Sequence, residues 1–397
     1  MSEKTGKGGG LYQTLAYLVF NTLLLLLVLE VGVRVFTDPI TPIDSNARTL
    51  STDKTQAPFF QQHPFAAFQW IPNARFSTQT VNNLGFVSTE DFDFEKKPGE
   101  IRVVTLGGSS TVGNGNIDED TYPRVMQKLL RQAYPDKTIN VINAAAGGYT
   151  TIESIGYLNA RVKHLHPDII LMMHGWNDMY YFTLTDQALS QWRENFNLQA
   201  MWDTSVDRVI DDPMPAHVQY LSWSQLYLHV IDWIRLRARS DEQRQVAIEN
   251  RYDGLVRDEQ GNLQIQIKPI NPSAMANYLS NLTLYKHLCV ELSIQCYSVL
   301  QPTLVTEKTD LTPDQLAEVA NTSMVYHGFS YEDHIAAFTR QYQHNEAVFG
   351  TENIIDAREM NGKSEFFFDH IHMNQNGSKR LAELAFDKIE VLSIFGT

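Results

Sequence analysis

Residues 101–111 read IRVVTLGGSST, a short apolar run that ends on two glycines and two serines. The six residues Ile101–Leu106 suit a buried strand. Gly107 and Gly108, lacking a Cβ, allow the tight turn that lifts the next hydroxyl to the upper edge of a sheet. Working outward, Tyr122, Val125, Met126, Leu129, Leu130 and Ala133 recur at helical spacing over 119–134. Ile139–Asn143 (INVIN) reads as a second strand, and Ile152, Ile155, Leu158, Val162 and Leu165 mark a helix closed by Pro167. Asp168–His174 (DIILMMH) is a third strand, apolar on both faces. The spacing then predicts a helix over 274–291, a strand over 294–300 and a helix over 330–348 opened by a Ser330/Asp333 capping box. A strand at 353–356 and a last helix from about 377, carrying Leu381, Leu384, Ala385, Ile389 and Leu392, complete the pattern. Strands alternating with helices predict a three-layer α/β/α sandwich around a parallel sheet of about five strands. Ligands of such sheets sit beyond the carboxyl ends of the strands.

Upstream, residues 11–29 carry no charge, and the apolar run resumes after Glu30 as far as Phe36. That is long enough for a helix to cross a bilayer. Glu30 and Arg34 stand in the favourable i,i+4 order at its end. The VRVFTDP segment (33–39) offers no small-residue cleavage site, which favours an uncleaved anchor over a signal peptide. Lys4 and Lys7 precede the helix and predict a cytoplasmic tail (1–10), an anchor (11–36) and all later residues outside, periplasmic or extracellular. Residues 37–100, rich in Pro, Asn, Gln, Thr and aromatics without a period, read as an extension wrapped around a catalytic domain at 101–397. That domain is interrupted at about 180–273, longer than an ordinary connection. The interruption holds an amphipathic stretch, 220–238, and a candidate hairpin at 251–267 (RYDGLVRDEQGNLQIQI), and is expected to cap the site.

Composition narrows the partners. A formal net charge of −14 repels phosphate backbones and argues against nucleic acid. Cys289 and Cys296 have no metal-ligand spacing; they form either a disulfide or two buried thiols. Sequons occur at Asn281, Asn321 and Asn376.

Four segments carry candidate chemistry. Gly107-Gly108-Ser109-Ser110-Thr111 follows the first strand; taken singly it is a plain loop or a phosphate cradle, but the Walker and dinucleotide spacings are missing. Position 111 is Thr, so the Gly-x-Ser-x-Gly elbow is missing too. After the second strand comes Asn143-Ala-Ala-Ala-Gly147-Gly148-Tyr149-Thr150, where a glycine N–H could face a ligand. His174-Gly175-Trp176-Asn177-Asp178 follows the third, where an Asn amide could donate to a developing oxyanion. The last is Phe368-Asp369-His370-Ile371-His372-Met373-Asn374, with an Asp three residues before a His, an arrangement suited to orienting Nδ1 while Nε2 meets a serine.

Together and in this order, the four segments resemble the SGNH (GDSL-like) hydrolases, of a membrane-anchored bacterial type, over about residues 60–395; only the insertion is uncovered. The VNNLGF stretch (81–86) belongs to the likeness. The resemblance implies ester hydrolysis with Ser109 as nucleophile, His372 as general base and Asp369 as its orienting acid. It also implies an oxyanion hole from the N–H groups of Ser109 and Gly148 and the side chain of Asn177. It implies no metal or organic cofactor, and an acyl ester substrate, either a lipid or an O-acylated carbohydrate. One departure is plain: the family's Asp before the serine is Gly108 here. Ser110 is set aside as nucleophile by the Gly-x-Ser alignment, and His370 lacks the three-residue offset from Asp369. His164, His166 and His174 lack the carboxylate or Cys partners of a metal site. Trp176 fits pocket lining and core equally. Two other readings are weighed: an O-acyltransferase on envelope glycans using the same triad, and a non-catalytic anchored binding or assembly subunit.

Overall fold

Five strands pair in parallel in the order β2-β1-β3-β4-β5: β1 (Glu100–Gly107), β2 (Thr138–Asn143), β3 (Ile169–His174), β4 (Gln295–Leu300) and β5 (Ile354–Asp356). This computed structural model describes residues 9–37, 59–76, 78–183, 186, 220–221, 223–238, 255–257, 260 and 262–389. The helices are α1 (Gly9–Phe36), α2 (Ser109–Val112), α3 (Tyr122–Ala133), α4 (Thr151–Ala160), α5 (Gln225–Ala238), α6 (Pro272–Glu291), α7 (Pro313–His327), α8 (Tyr331–Phe349) and α9 (Gln375–Lys388).

The layers follow from strand periodicity. Alternate residues of β1 point to opposite faces, and the whole strand is buried. Ile101 and Val103 pack with Tyr122, Met126 and Leu130 of α3 and with Leu381 and Ala385 of α9. Val104 and Leu106 pack with Ile155 and Leu158 of α4, Tyr278 and Leu282 of α6, and Phe338 of α8. The result is the expected three-layer α/β/α sandwich.

Strand order also sets where a ligand can sit. The chain leaves β1 for β2 on one side and returns to β3 on the other, so the connections diverge between β1 and β3. A crevice opens at such a switch point, beyond the carboxyl ends of the strands. Ser109 follows β1 and Asn177 follows β3.

Residues before the sheet belong to the same core. Phe60–His63 pairs antiparallel with Ala67–Trp70. The Trp70 indole donates to Ala145 O at 2.8 Å, and the Tyr149 hydroxyl donates to Phe68 O. Val87 N donates to Asn143 O at the end of β2. These contacts hold the strip from 59 onward against the end of β2 and the loop that follows it.

Two elements differ from the sequence expectation. Helix α7 was not foreseen; its Thr312 and Gln315 form a reciprocal capping box, and Gly328 closes it in the left-handed region. In the 220–238 stretch Tyr220 and Leu221 are helical, a turn follows at Trp223, and helix α5, from Gln225, rests on α1. The hairpin forms between Leu255–Arg257 and Leu263–Ile265, while most of the insertion lies outside the described residues. Cys289 and Cys296 form a disulfide joining the end of α6 to the start of β4. Within α1, Tyr12–Phe36 is long and apolar enough to cross a membrane and has none of its apolar window buried.

Candidate active site

Ser109 opens α2 directly after the Gly107-Gly108 turn. The N–H groups at a helix start lack intrahelical acceptors, so the Ser109 amide and hydroxyl leave the sheet edge together. Gly108 stands in a crowded place: a Cβ there would overlap the Asn177 amide nitrogen and lie 3.1 Å from Tyr149 O. Three strand ends thus meet around one glycine. Gly148, in the loop after β2, holds φ at +86°, a left-handed conformation that favours glycine. Asn177 begins a short 3₁₀ turn after β3, and its amide donates to Tyr149 O at 2.8 Å.

The fourth segment approaches from the loop before α9, which Asn374 caps by accepting from Gly377 N. His372 Nε2 lies 2.8 Å from Ser109 Oγ, and His372 Nδ1 lies 2.7 Å from Asp369 Oδ2. The other oxygen, Oδ1, accepts from the N–H groups of Ile371 (2.9 Å) and His372 (2.7 Å). Burial opposes the Asp369 charge, but the hydrogen bond from the His372 ring and the neighbouring imidazoles outweigh it. The carboxyl is held well below the usual carboxylate range. The chain Ser109–His372–Asp369 is therefore continuous, with its acid ionised at any working pH.

The close rivals occupy other positions. Ser110 is buried; its hydroxyl donates to Ile371 O and accepts from Gln301 Nε2 at 3.1 Å. His370 lies with its ring 4.4 Å from that of Trp176, and burial lowers its pKa to about 4. His174 bonds Ser154 Oγ through Nε2 at 2.8 Å, while His164 and His166 are exposed. No metal-holding cluster of His, Cys, Asp and Glu occurs among the described residues. Trp176 is only 4% exposed and packs against His327, His334 and Phe338, yet it also borders the cavity beside Ser109, so both readings of it hold.

Sequence reasoning missed Gln301. It stands just past β4, accepts from Trp176 N at 2.9 Å and donates to Ser110, tying three of the strand-end loops together. Its one signal was its place between an apolar strand and Pro302. Asp178 is a second such residue. Its buried carboxylate accepts from Thr151 N and Thr151 Oγ1, joining the turn of Asn177 to the start of α4. Burial, against those hydrogen bonds, raises its pKa to about 7.

The fold is a three-layer α/β domain with a hydrogen-bonded polar cluster at its strand ends. Residues 105–278 match the GDSL-like lipase/acylhydrolase family. The chain therefore carries a GDSL-like acylhydrolase domain and is an ester hydrolase of that type. The match ends before Asp369 and His372. Among solved structures, an acetyl xylan esterase shares 13% identity over 73% of this chain and 100% of its own, with a TM-score of 0.37. A lipase/acylhydrolase from Enterococcus faecalis shares 15% over 73% and 95%, with a TM-score of 0.37. An acetyl xylan esterase from Geobacillus stearothermophilus shares 13% over 73% and 94%, again at 0.37. Likeness at this level carries no argument about substrate. A search of curated proteins gives no match.

Proposed function

We propose that this protein is a membrane-anchored serine esterase acting on short acyl esters outside the membrane. The observation that carries the mechanism is the continuous hydrogen-bonded chain from Ser109 Oγ through His372 to Asp369, at 2.8 and 2.7 Å. Ser109 Oγ attacks the ester carbonyl while His372 Nε2 takes its proton, and Asp369 steadies the resulting imidazolium. The oxyanion is met by the N–H groups of Ser109 and Gly148 and by the Asn177 amide. The same Nε2 proton passes to the departing alcohol oxygen, leaving an acyl-serine. Water, deprotonated by His372, then attacks, and the acid leaves as Ser109 recovers its proton.

Pocket size supports a short acyl group. The cavity beside Ser109, bounded by Gly108, Ser110, Met173, Trp176, Gln301 and Ile371, measures about 10 Å³. Its small size suits a small acyl group such as acetyl. The side of the membrane is supported by two independent features. Lys4 and Lys7 precede the span, and basic residues favour the cytoplasmic side. The Cys289–Cys296 disulfide suits an oxidising compartment.

A fluorophosphonate probe tests the reading: it should label the wild-type protein at Ser109 and fail on Ser109→Ala. Turnover of p-nitrophenyl acetate should vanish in the same variant and survive in Ser110→Ala. Retained turnover in folded Ser109→Ala would overturn the assignment. Product analysis with and without a sugar acceptor separates hydrolysis from transfer.

A further inference from the structure

The anchor meets the insertion through one carboxylate. Leu11–Leu29 is free of charge and at 1.5 Å per residue spans roughly 28 Å, close to the thickness of a bilayer's hydrocarbon core. Glu30, the first charged residue after it, therefore stands at the outer boundary. Its side chain is only 13% exposed. It accepts from Ser224 Oγ at 2.8 Å and from the backbone N–H groups of Gln225 and Leu226, each at 2.9 Å. Arg34 pairs with it at 2.7 Å and also donates to Trp223 O. A carboxylate from one helix thus caps the first turn of another, where N–H groups are otherwise unpartnered. Just past the end of α1, seven residues beyond Glu30, Thr37 Oγ1 lies 2.9 Å from His229 Nε2. Helix α5 consequently climbs away from the boundary beside the anchor, and only its head lies at the level of Glu30.

The residues just before α5 bare three apolar side chains. Tyr220 is 79% exposed, Leu221 39% and Trp223 68%. Three such side chains bared together in water are a liability. At the boundary of a bilayer they are suited to their place, since Tyr and Trp set an apolar ring among acyl chains and a polar edge among headgroups. We propose that Tyr220, Leu221 and Trp223 form a second membrane foothold, seated in the headgroup zone of the bilayer beside the anchor. The inference rests on the reading of residues 11–36 as a membrane anchor. Trp233, 54% exposed, lies two turns up α5 and marks the part of the helix that stands clear. The connection bearing the foothold begins just after Asn177 and rejoins the domain at Asn271, whose N–H donates to Phe182 O at 2.6 Å. The foothold thus belongs to a chain segment whose two ends meet a few residues past Asn177.

Quenching by brominated lipids tests this on the full-length chain in proteoliposomes. Lipids brominated near the headgroup end of the acyl chain should quench the wild-type protein. Trp223→Phe should lose most of the quenching assignable to tryptophans outside the core, and Trp233→Phe little of it. Both variants should hydrolyse p-nitrophenyl acetate as the wild type does, which shows that they are folded. Unchanged quenching in Trp223→Phe, with the protein retained through a carbonate wash, would overturn the foothold and leave the anchor standing. Release by carbonate would overturn both. Crosslinking of Trp223 neighbourhoods between two copies, with no quenching, would assign the face to self-association and sink the proposal.

Discussion

Gly108 shows how a departure from a family pattern acquires a physical reason. A Cβ at that position would overlap the amide of Asn177, which would have to shift. Gly108→Ala should therefore displace that amide and lower kcat by about 10–10², the scale attached to small misplacements near the reacting atoms. Circular dichroism should be unchanged, and a kcat equal to wild type would mean that Asn177 is not where the charge develops. Asn177→Ala removes the donor itself. Its expected cost is ~10²–10³ in kcat with a smaller change in KM; an effect on KM alone would make Asn177 a ground-state contact. Ser109, Gly148, Asn177, Asp369 and His372 were legible because each sits in a short segment at a strand end or before the last helix, with chemistry that two or three neighbouring residues display. Gln301 was not. A single Gln after a strand has no pattern of its own, and its partner Ser110 lies 191 residues away.

At the scale of elements, what the sequence displayed was periodicity, and what it hid was packing. The strands read clearly because each carries a short run of buried apolar residues, longest in β3, which is buried along its whole length. Helix α7 escaped because Ser323 and His327 are its only fully buried residues, so no apolar stripe marks it. Its Thr312-Pro313-Asp314-Gln315 start was nonetheless a readable capping box. The Phe60–Trp70 hairpin was hidden differently. Its aromatic side chains are organised by loops of the sheet, through contacts such as Trp70 to Ala145 O, rather than by a period of their own. The two cysteines were an open choice that three-dimensional proximity decides. Closing a short loop restrains the unfolded chain, so Cys289→Ala with Cys296→Ala should lower stability by about 2–3 kcal/mol. The check is the denaturant midpoint of the double variant beside that of the oxidised protein. Turnover of a small ester should persist at low denaturant, because the bridge joins α6 to β4 at the end of the sheet opposite the site. A midpoint unmoved by the double substitution would show that the bridge adds nothing to stability in solution.

The molecule as a whole stores an acid sensitivity that no single segment displays. His174 is buried with its pKa lowered to about 3, and burial likewise lowers His334 and His370 to about 4. His327 is pushed well below the usual range by burial and by the neighbouring imidazoles. An unfolded histidine takes up a proton near pH 6.5, whereas these four stay neutral in the fold until far lower pH. Between those values the unfolded chain binds more protons, so stability falls as pH falls, by about 1.4 kcal/mol per pH unit for each histidine. Two buried carboxyls act against this. Asp178, raised by burial to about 7, and Glu153, also raised by burial, bind protons in the fold that the unfolded chain has released. Their contribution therefore grows as pH falls toward the ordinary carboxylate range. His63 and His344 are lowered by burial as well, so the histidines outnumber the two carboxyls. Asp369 works in the histidines' direction at lower pH. Its depressed carboxyl contributes stability above the ordinary carboxylate pKa, which is lost as pH drops below it. The melting temperature should thus be flat above about pH 7 and fall steadily from pH 6.5 to 5, with a further drop below pH 4. Thermal melts across that range, at constant ionic strength, test it on the full chain in detergent. A melting temperature that rises on acidification to pH 5 would mean that Asp178 and Glu153 dominate and that the buried histidines are protonated in the fold.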